Sequence, residues 1–128
     1  MSKEHIINSQ DMTSPYQPLT ESTFFILLSL SPGKKHGYAI MKDVEALSSG
    51  NIHLSTSTLY SALGRLLDQG LIERVPNDED KSAGPGLPRK AYVLSKTGRH
   101  ALEKEVSRMQ GLVAAAKLRL GQEHRSLL

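Results

Sequence analysis

The sequence predicts a mainly α-helical domain closed by a small β hairpin and extended by a long C-terminal helix. Three observations carry this expectation. Leu59, Ala62, Leu63, Leu66 and Leu67 repeat at the i, i+3, i+4, i+7 spacing of one helix face. Leu71–Val75 and Arg89–Leu94 flank the polar, Gly- and Pro-containing link Asn77–Pro88, the pattern of two strands joined by a loop. Leu102, Val106, Met109, Val113, Ala116 and Leu120 are spaced 4, 3, 4, 3, 4, the a/d seam of a heptad repeat.

Composition bounds the partners. The chain has 128 residues, enough for one domain with a modest core, and a formal net charge of +3, which permits an anionic partner without demanding one. It has no cysteine, so disulfides and thiolate metal sites are excluded and a reducing compartment fits. No apolar run approaches the roughly 18 residues a membrane span requires, and no signal-peptide pattern opens the sequence. A cytoplasmic protein with no membrane contact is therefore expected.

Taken in order, residues 1–18 are polar, unpatterned and punctuated by Pro15 and Pro18, and read as a flexible tail. Thr20 is placed to cap a first helix, about Glu21 to Ser31, with Glu21 favourable to its dipole and Leu19 able to staple onto Phe24. Phe24, Phe25, Ile26, Leu27, Leu28 and Leu30 make that helix apolar on nearly every side. In so small a domain its second cover is expected to be another subunit. Pro32-Gly33-Lys34-Lys35 breaks it. A second helix, about Tyr38 to Leu47, buries Ile40, Met41, Val44 and Leu47, and Ile52-His53-Leu54 reads as a short strand. The third helix runs from an N-cap at Ser55 to Gln69, stopped by Gly70. Its other face carries Ser57, Tyr60, Ser61, Gly64, Arg65 and Asp68, short and hydroxyl-rich, able to lie close to a DNA groove. Ser95 then caps the last helix, expected to reach about Leu120.

Three helices followed by a two-stranded ribbon is the order of a winged helix-turn-helix, whose third helix enters the major groove. The expected division is tail 1–18, winged helix-turn-helix 19–95, C-terminal dimerisation helix 96–121 and C-terminal tail 122–128. The heptad seam together with Phe24, Phe25 and Leu28 of the first helix is expected to form a homodimer interface, the alternative being a last helix that lies on its own core. Gly111 weakens that helix by about 1 kcal/mol relative to alanine.

At this point the sequence resembles the PadR-like transcriptional regulators, named for the phenolic acid decarboxylase regulator. The matching residues are His36-Gly37-Tyr38-Ala39-Ile40, Ser57-Thr58-Leu59-Tyr60, Ala62-Leu63, Arg65-Leu66, Gly70-Leu71-Ile72, Pro88-Arg89-Lys90 with Tyr92, and Ser95-Lys96-Thr97-Gly98-Arg99. They run in unbroken order from about Leu19 to Leu102, and the single C-terminal helix is similar to that of the family's smaller members. The resemblance implies a homodimeric, usually repressing, DNA-binding regulator whose first and last helices build the dimer. Three positions depart from the family pattern: Ser61 where proline is common, Gly64 where lysine is common, and Ala91 where an aromatic usually accompanies Tyr92. Gly64 either removes a phosphate contact or lets the backbone approach the groove.

Candidate residues follow from chemistry. Arg65 can donate two hydrogen bonds to guanine O6 and N7; the alternatives are a phosphate contact or an ion pair with Asp68. Ser55, Ser57, Thr58, Tyr60 and Ser61 are assigned to phosphates and register, since most protein–DNA hydrogen bonds go there. Tyr38 joins them or packs in the core. Lys81, Arg89 and Lys90 bring the wing onto the backbone or into the minor groove, opposed at the loop by Asp78, Glu79 and Asp80. Lys96, Arg99 and His100 occupy the first turns of the last helix, where the dipole disfavours cations, as a solvated cluster or near an anionic partner.

Catalysis finds no support. The five histidines show no metal-ligand spacing, Gly84-Pro85-Gly86 lacks a needed N–H, and no triad stands out, so neither an enzyme nor a bound cofactor is expected. The partners expected are double-stranded DNA and a second copy of the chain, with any small-molecule effector between subunits. The competing reading is a winged helix used for protein–protein contact without specific DNA binding. Hydroxyls plus Arg65 on the third helix, rather than aromatic or aliphatic anchors, favour DNA.

Overall fold

The computed structural model describes residues 18–76 and 90–127, with side chains described as far as Gln122. The expected N-terminal tail, apart from Pro18, and the wing loop Asn77–Pro88 lie outside them. The elements in order are α1 (Glu21–Ser29), β1 (Lys35–His36), α2 (Gly37–Leu47), α3 (Thr56–Asp68), β2 (Ile72–Val75), β3 (Ala91–Leu94) and α4 (Lys96–Leu127). The mainly helical class with a small antiparallel sheet is as the sequence predicts.

Local signals set the helix ends. Thr20, in extended backbone, accepts the Thr23 N–H at 3.1 Å and caps α1. Ser55 does the same for α3 through the Thr58 N–H, also at 3.1 Å. At the other end of α3, Gly70 takes φ 74°, and the Leu71 N–H returns to the Leu66 carbonyl at 3.0 Å. This is a Schellman closure, which needs the left-handed conformation glycine adopts without strain.

The core gathers Ile26, Leu27 and Leu30 of α1, Ile40 and Val44 of α2, Leu59, Leu63 and Leu66 of α3, Ile72 and Tyr92 of the sheet, and Leu102 of α4. Phe24, Phe25 and Leu28 are only half-buried, and the two phenyl rings meet edge to face at 5.5 Å. Leu47, expected on the buried face of α2, is instead 41% exposed at the helix end.

The sheet corrects one expectation. Ile52-His53-Leu54 forms no strand: the Ile52 N–H is taken by the Ser48 hydroxyl at 2.9 Å, which removes a donor from any ladder. The third strand is Lys35–His36, within the stretch read as a helix break and helix start. It pairs with β3 through Lys35↔Tyr92 and His36↔Ala91, giving the order β1-β3-β2. β2 pairs with the other edge of β3, with Arg74↔Tyr92 and Val75↔Ala91 in register. Ala91, where the family pattern has an aromatic, is fully buried on this central strand.

α4 runs past its expected end to Leu127. Its start is held firmly. Ser95 Oγ accepts the Gly98 N–H at 2.9 Å, as the capping reading expects, and also donates to the Gly70 carbonyl at 2.6 Å. Arg99 donates to the Ser31 carbonyl at 2.9 Å, tying α4 to the turn after α1. Further along, the buried Glu105 carboxylate takes Arg108 Nε at 3.0 Å and Nη2 at 2.6 Å. Arg108's hydrogen bonds hold the carboxyl below its ordinary pKa range, against the opposing effect of burial. Among the described residues no helix is long and apolar enough to cross a membrane.

Two glycines in helices should respond oppositely to alanine. A Cβ on Gly98 would collide with the Leu71 carbonyl, a backbone group that cannot swing aside, so Gly98→Ala should cost about 1–3 kcal/mol. A Cβ on Gly64 meets open space, so Gly64→Ala should stabilise by roughly 0.5–1 kcal/mol. Denaturant unfolding of both variants checks the pair.

Candidate nucleic-acid interface

The interface is built on α3. Leu59, Ala62, Leu63 and Leu66 anchor one face in the core, so helical geometry turns Ser57, Tyr60, Ser61, Gly64 and Arg65 outward. All five are exposed. Arg65 forms no ion pair with Asp68 among the described residues, so that alternative for its guanidinium is not what the fold adopts. The Ser55 hydroxyl is engaged within the cap: it accepts the Thr58 N–H and donates to Thr58 Oγ1 at 2.9 Å. Its role in the fold is therefore to start α3; Ser57 Oγ lies 3.5 Å from it, and Ser61 is the more open hydroxyl.

Tyr38 stands in the first turn of α2 and is 66% exposed, with Lys42 Nζ 5.7 Å from its ring centroid. The core-packed alternative is thereby removed. Tyr60 is 46% exposed and leans across to α2, where its hydroxyl end lies directly over Gly37. A Cβ at Gly37 would fall 2.8 Å from Tyr60 Cζ, so glycine there is what lets the tyrosine bridge α3 and α2.

Tyr92 closes the same corner from the sheet. Its ring is buried, and burial first, then the neighbouring Tyr60, pushes its hydroxyl pKa upward, while Arg74 draws it back down. Arg74 was not among the residues singled out from sequence. It lies directly across from Tyr92 on β2 and is exposed. The signal that could have found it is period two: Ile72 is core, so residue 74 shares its face at the point where β2 leaves the core. Lys90, immediately before β3, is exposed, whereas Lys81 and Arg89 lie outside the described residues.

The candidate dimer residues divide. Leu102 is 5% exposed in the single chain, so it is a residue of its own domain's core and has little surface for a partner. Beyond it the seam opens: Val106, Val113 and Leu120 are exposed apolar side chains, Met109 is half-buried and Ala116 is exposed. Phe24 of α1 joins Val106, Met109, Val113, Ala114 and Lys117 of α4 around an open groove of about 420 Å³. Among the described residues no group of three or more His, Asp or Glu side chains is placed to hold a metal.

The contact between Gly37 and Tyr60 is testable by a double-mutant cycle. Gly37→Ala should destabilise the wild type, because the Tyr60 ring must move, yet should cost much less in a Tyr60→Ala background. A coupling of about 1 kcal/mol is expected between such contacting residues, measured by urea unfolding of the four proteins.

Comparison with known proteins places the chain in a family. The model of the PadR-like family of transcriptional regulators matches residues 26–104. A PadR family transcription regulator from Clostridium difficile is 25% identical, with a TM-score of 0.65 over 79% of this chain and 99% of that one. A PadR-like transcriptional regulator from Bacillus cereus is 25% identical, with a TM-score of 0.59 over 78% of this chain and 90% of that one. Bacillus subtilis PadR, solved in complex with operator DNA, is 25% identical, with a TM-score of 0.56 over 66% of this chain and 46% of that longer one. No curated protein sequence matches the chain. The match spans more than half the sequence and takes in α2, α3, both hairpin strands and the start of α4, and on that ground the chain belongs to the PadR-like family of transcriptional regulators.

Proposed function

We propose that this protein is a homodimeric repressor that reads an inverted-repeat operator with α3 of each subunit. The observation that carries the reading is the outward face of α3: hydroxyls and Arg65 held on a helix whose other face is locked in the core. It is supported by membership of a family of transcriptional regulators and by the operator complex of Bacillus subtilis PadR. Arg65 reads a base edge; Ser57, Thr58, Tyr60, Ser61 and Tyr38 position the backbone, and Lys90 with Arg89 and Lys81 serves the wing.

Dimerisation rests on α4. Val106, Val113 and Leu120 leave an apolar stripe in solvent that no other described residue covers. A second copy of α4, helped by Phe24, Phe25 and Leu28, is the natural cover. The groove beside Phe24 is where a small-molecule effector would bind, at the edge of that interface. Sedimentation should give a dimer at micromolar concentration. Val113→Glu, at a site 51% exposed in the single chain, should split the dimer without unfolding the domain. A wild-type monomer in that experiment overturns the dimer.

Specific binding is tested with DNA from upstream of the protein's own gene against an unrelated duplex. Arg65→Ala should cost about 1–3 kcal/mol on the specific site and relax preference at one base position. Half-site centres should lie roughly 10–10.5 base pairs apart or at a multiple, so inserting about five base pairs should abolish specific binding by turning one helix to the far side. Equal binding of all duplexes would remove specific recognition. No binding to any would favour the protein–protein reading of the fold.

A further inference from the structure

We propose that Arg74, exposed on the edge strand at the base of the hairpin, forms a phosphodiester-binding seat. The inference rests on the DNA-binding reading of the fold and adds a contact that neither α3 nor the loop of the wing supplies.

The seat follows from the register. Lys35, Tyr92 and Arg74 form one row across the three strands, Lys35↔Tyr92 on one side and Arg74↔Tyr92 on the other. Directly opposed residues in antiparallel strands project to the same face. Ile72, two residues before Arg74, and Leu94, its partner, show that this face is the one turned toward the core. The row therefore marks where the core ends. Tyr92 fills its middle and is buried, while Arg74 sits on the edge strand and is exposed.

The two cations of the row have different fates. Lys35 Nζ lies 3.8 Å from Asp43 of α2 and is partly covered, so its charge is matched within the fold. Arg74 has no carboxylate partner among the described residues, and Glu73 beside it projects to the opposite face of the strand. A guanidinium with no carboxylate partner among the described residues thus stands exposed at the base of the hairpin. A guanidinium recognises a phosphate oxygen pair through two N–H donors. β2 packs against α3, so a duplex lying on that helix would bring its backbone to Arg74. The ligand class is the backbone phosphate, so the contact is blind to base sequence.

The test uses the full chain and two duplexes, one from upstream of its own gene and one unrelated, titrated at several salt concentrations. Each phosphate neutralised contributes about −0.9 to the slope of log K against log salt, so Arg74→Gln in a dimer should flatten the slope by about two units. Affinity should fall by a similar factor on both duplexes. Arg74→Lys should restore most of the slope, because a lysine keeps the charge though not the fork. A structural role alone would lower the melting temperature and leave the slope unchanged, and that result overturns the seat. A loss confined to the upstream duplex also overturns it, since it would make Arg74 a base reader. If the wild type binds neither duplex, the DNA-binding reading itself falls and takes the seat with it, an outcome distinct from a wild type that binds and a variant that binds alike.

Discussion

The fold depends on one junction, where the end of α3, the start of β2, the end of β3 and the start of α4 meet at Ser95. Its hydroxyl donates to the Gly70 carbonyl and accepts the Gly98 N–H, while its own N–H reaches the Leu71 carbonyl at 3.0 Å. The hydroxyl and N–H of Ser95 are thus both engaged, across to the end of α3 and the start of β2 and within the cap of α4, which allows the crossing to be buried. Gly98 is needed because α4 passes so close to Leu71 that no side chain fits between them. The result is that α3, the hairpin and the last helix share one fixed reference point.

From that point the rest of the site is positioned. α3 has its amphipathic face in the core, its start capped by Ser55 and its end closed by Gly70, so it has little freedom to roll. Tyr60 extends the outward face toward α2, and Gly37 supplies the space for it. Tyr92 joins the sheet to the same corner. Three elements therefore converge beside the exposed face of one helix. Rigid support of this kind suits a surface that must match the fixed geometry of a partner such as a duplex.

α4 has a double character. Through Leu102 and Glu105 it is part of the domain, with the buried carboxylate matched by Arg108. From Gln110 to Leu120 every side chain is exposed, and the apolar ones have no cover among the described residues. The heptad spacing read along the helix is continuous across this change, which explains why sequence alone assigned Leu102 to an interface when it belongs to the core. A periodic pattern reports that a face is apolar, not which neighbour covers it.

The elements whose signals are local were legible in the sequence. Thr20, Ser55 and Ser95 were read as caps, Gly70 as the stop of α3, and the buried residues of α3 from their period, because caps and amphipathic faces depend on residues within a few positions of one another. What the tertiary structure decided were pairings between distant residues. The strand at Lys35–His36 exists because β3 offers it a free edge, and Ile52 is denied a ladder by the Ser48 hydroxyl. Arg74 gained its place only through its register against Tyr92, and Gly37 its role only through a tyrosine on another helix. Such contacts form between residues far apart in the chain, so no window of sequence contains both partners, and only the packed fold brings them together.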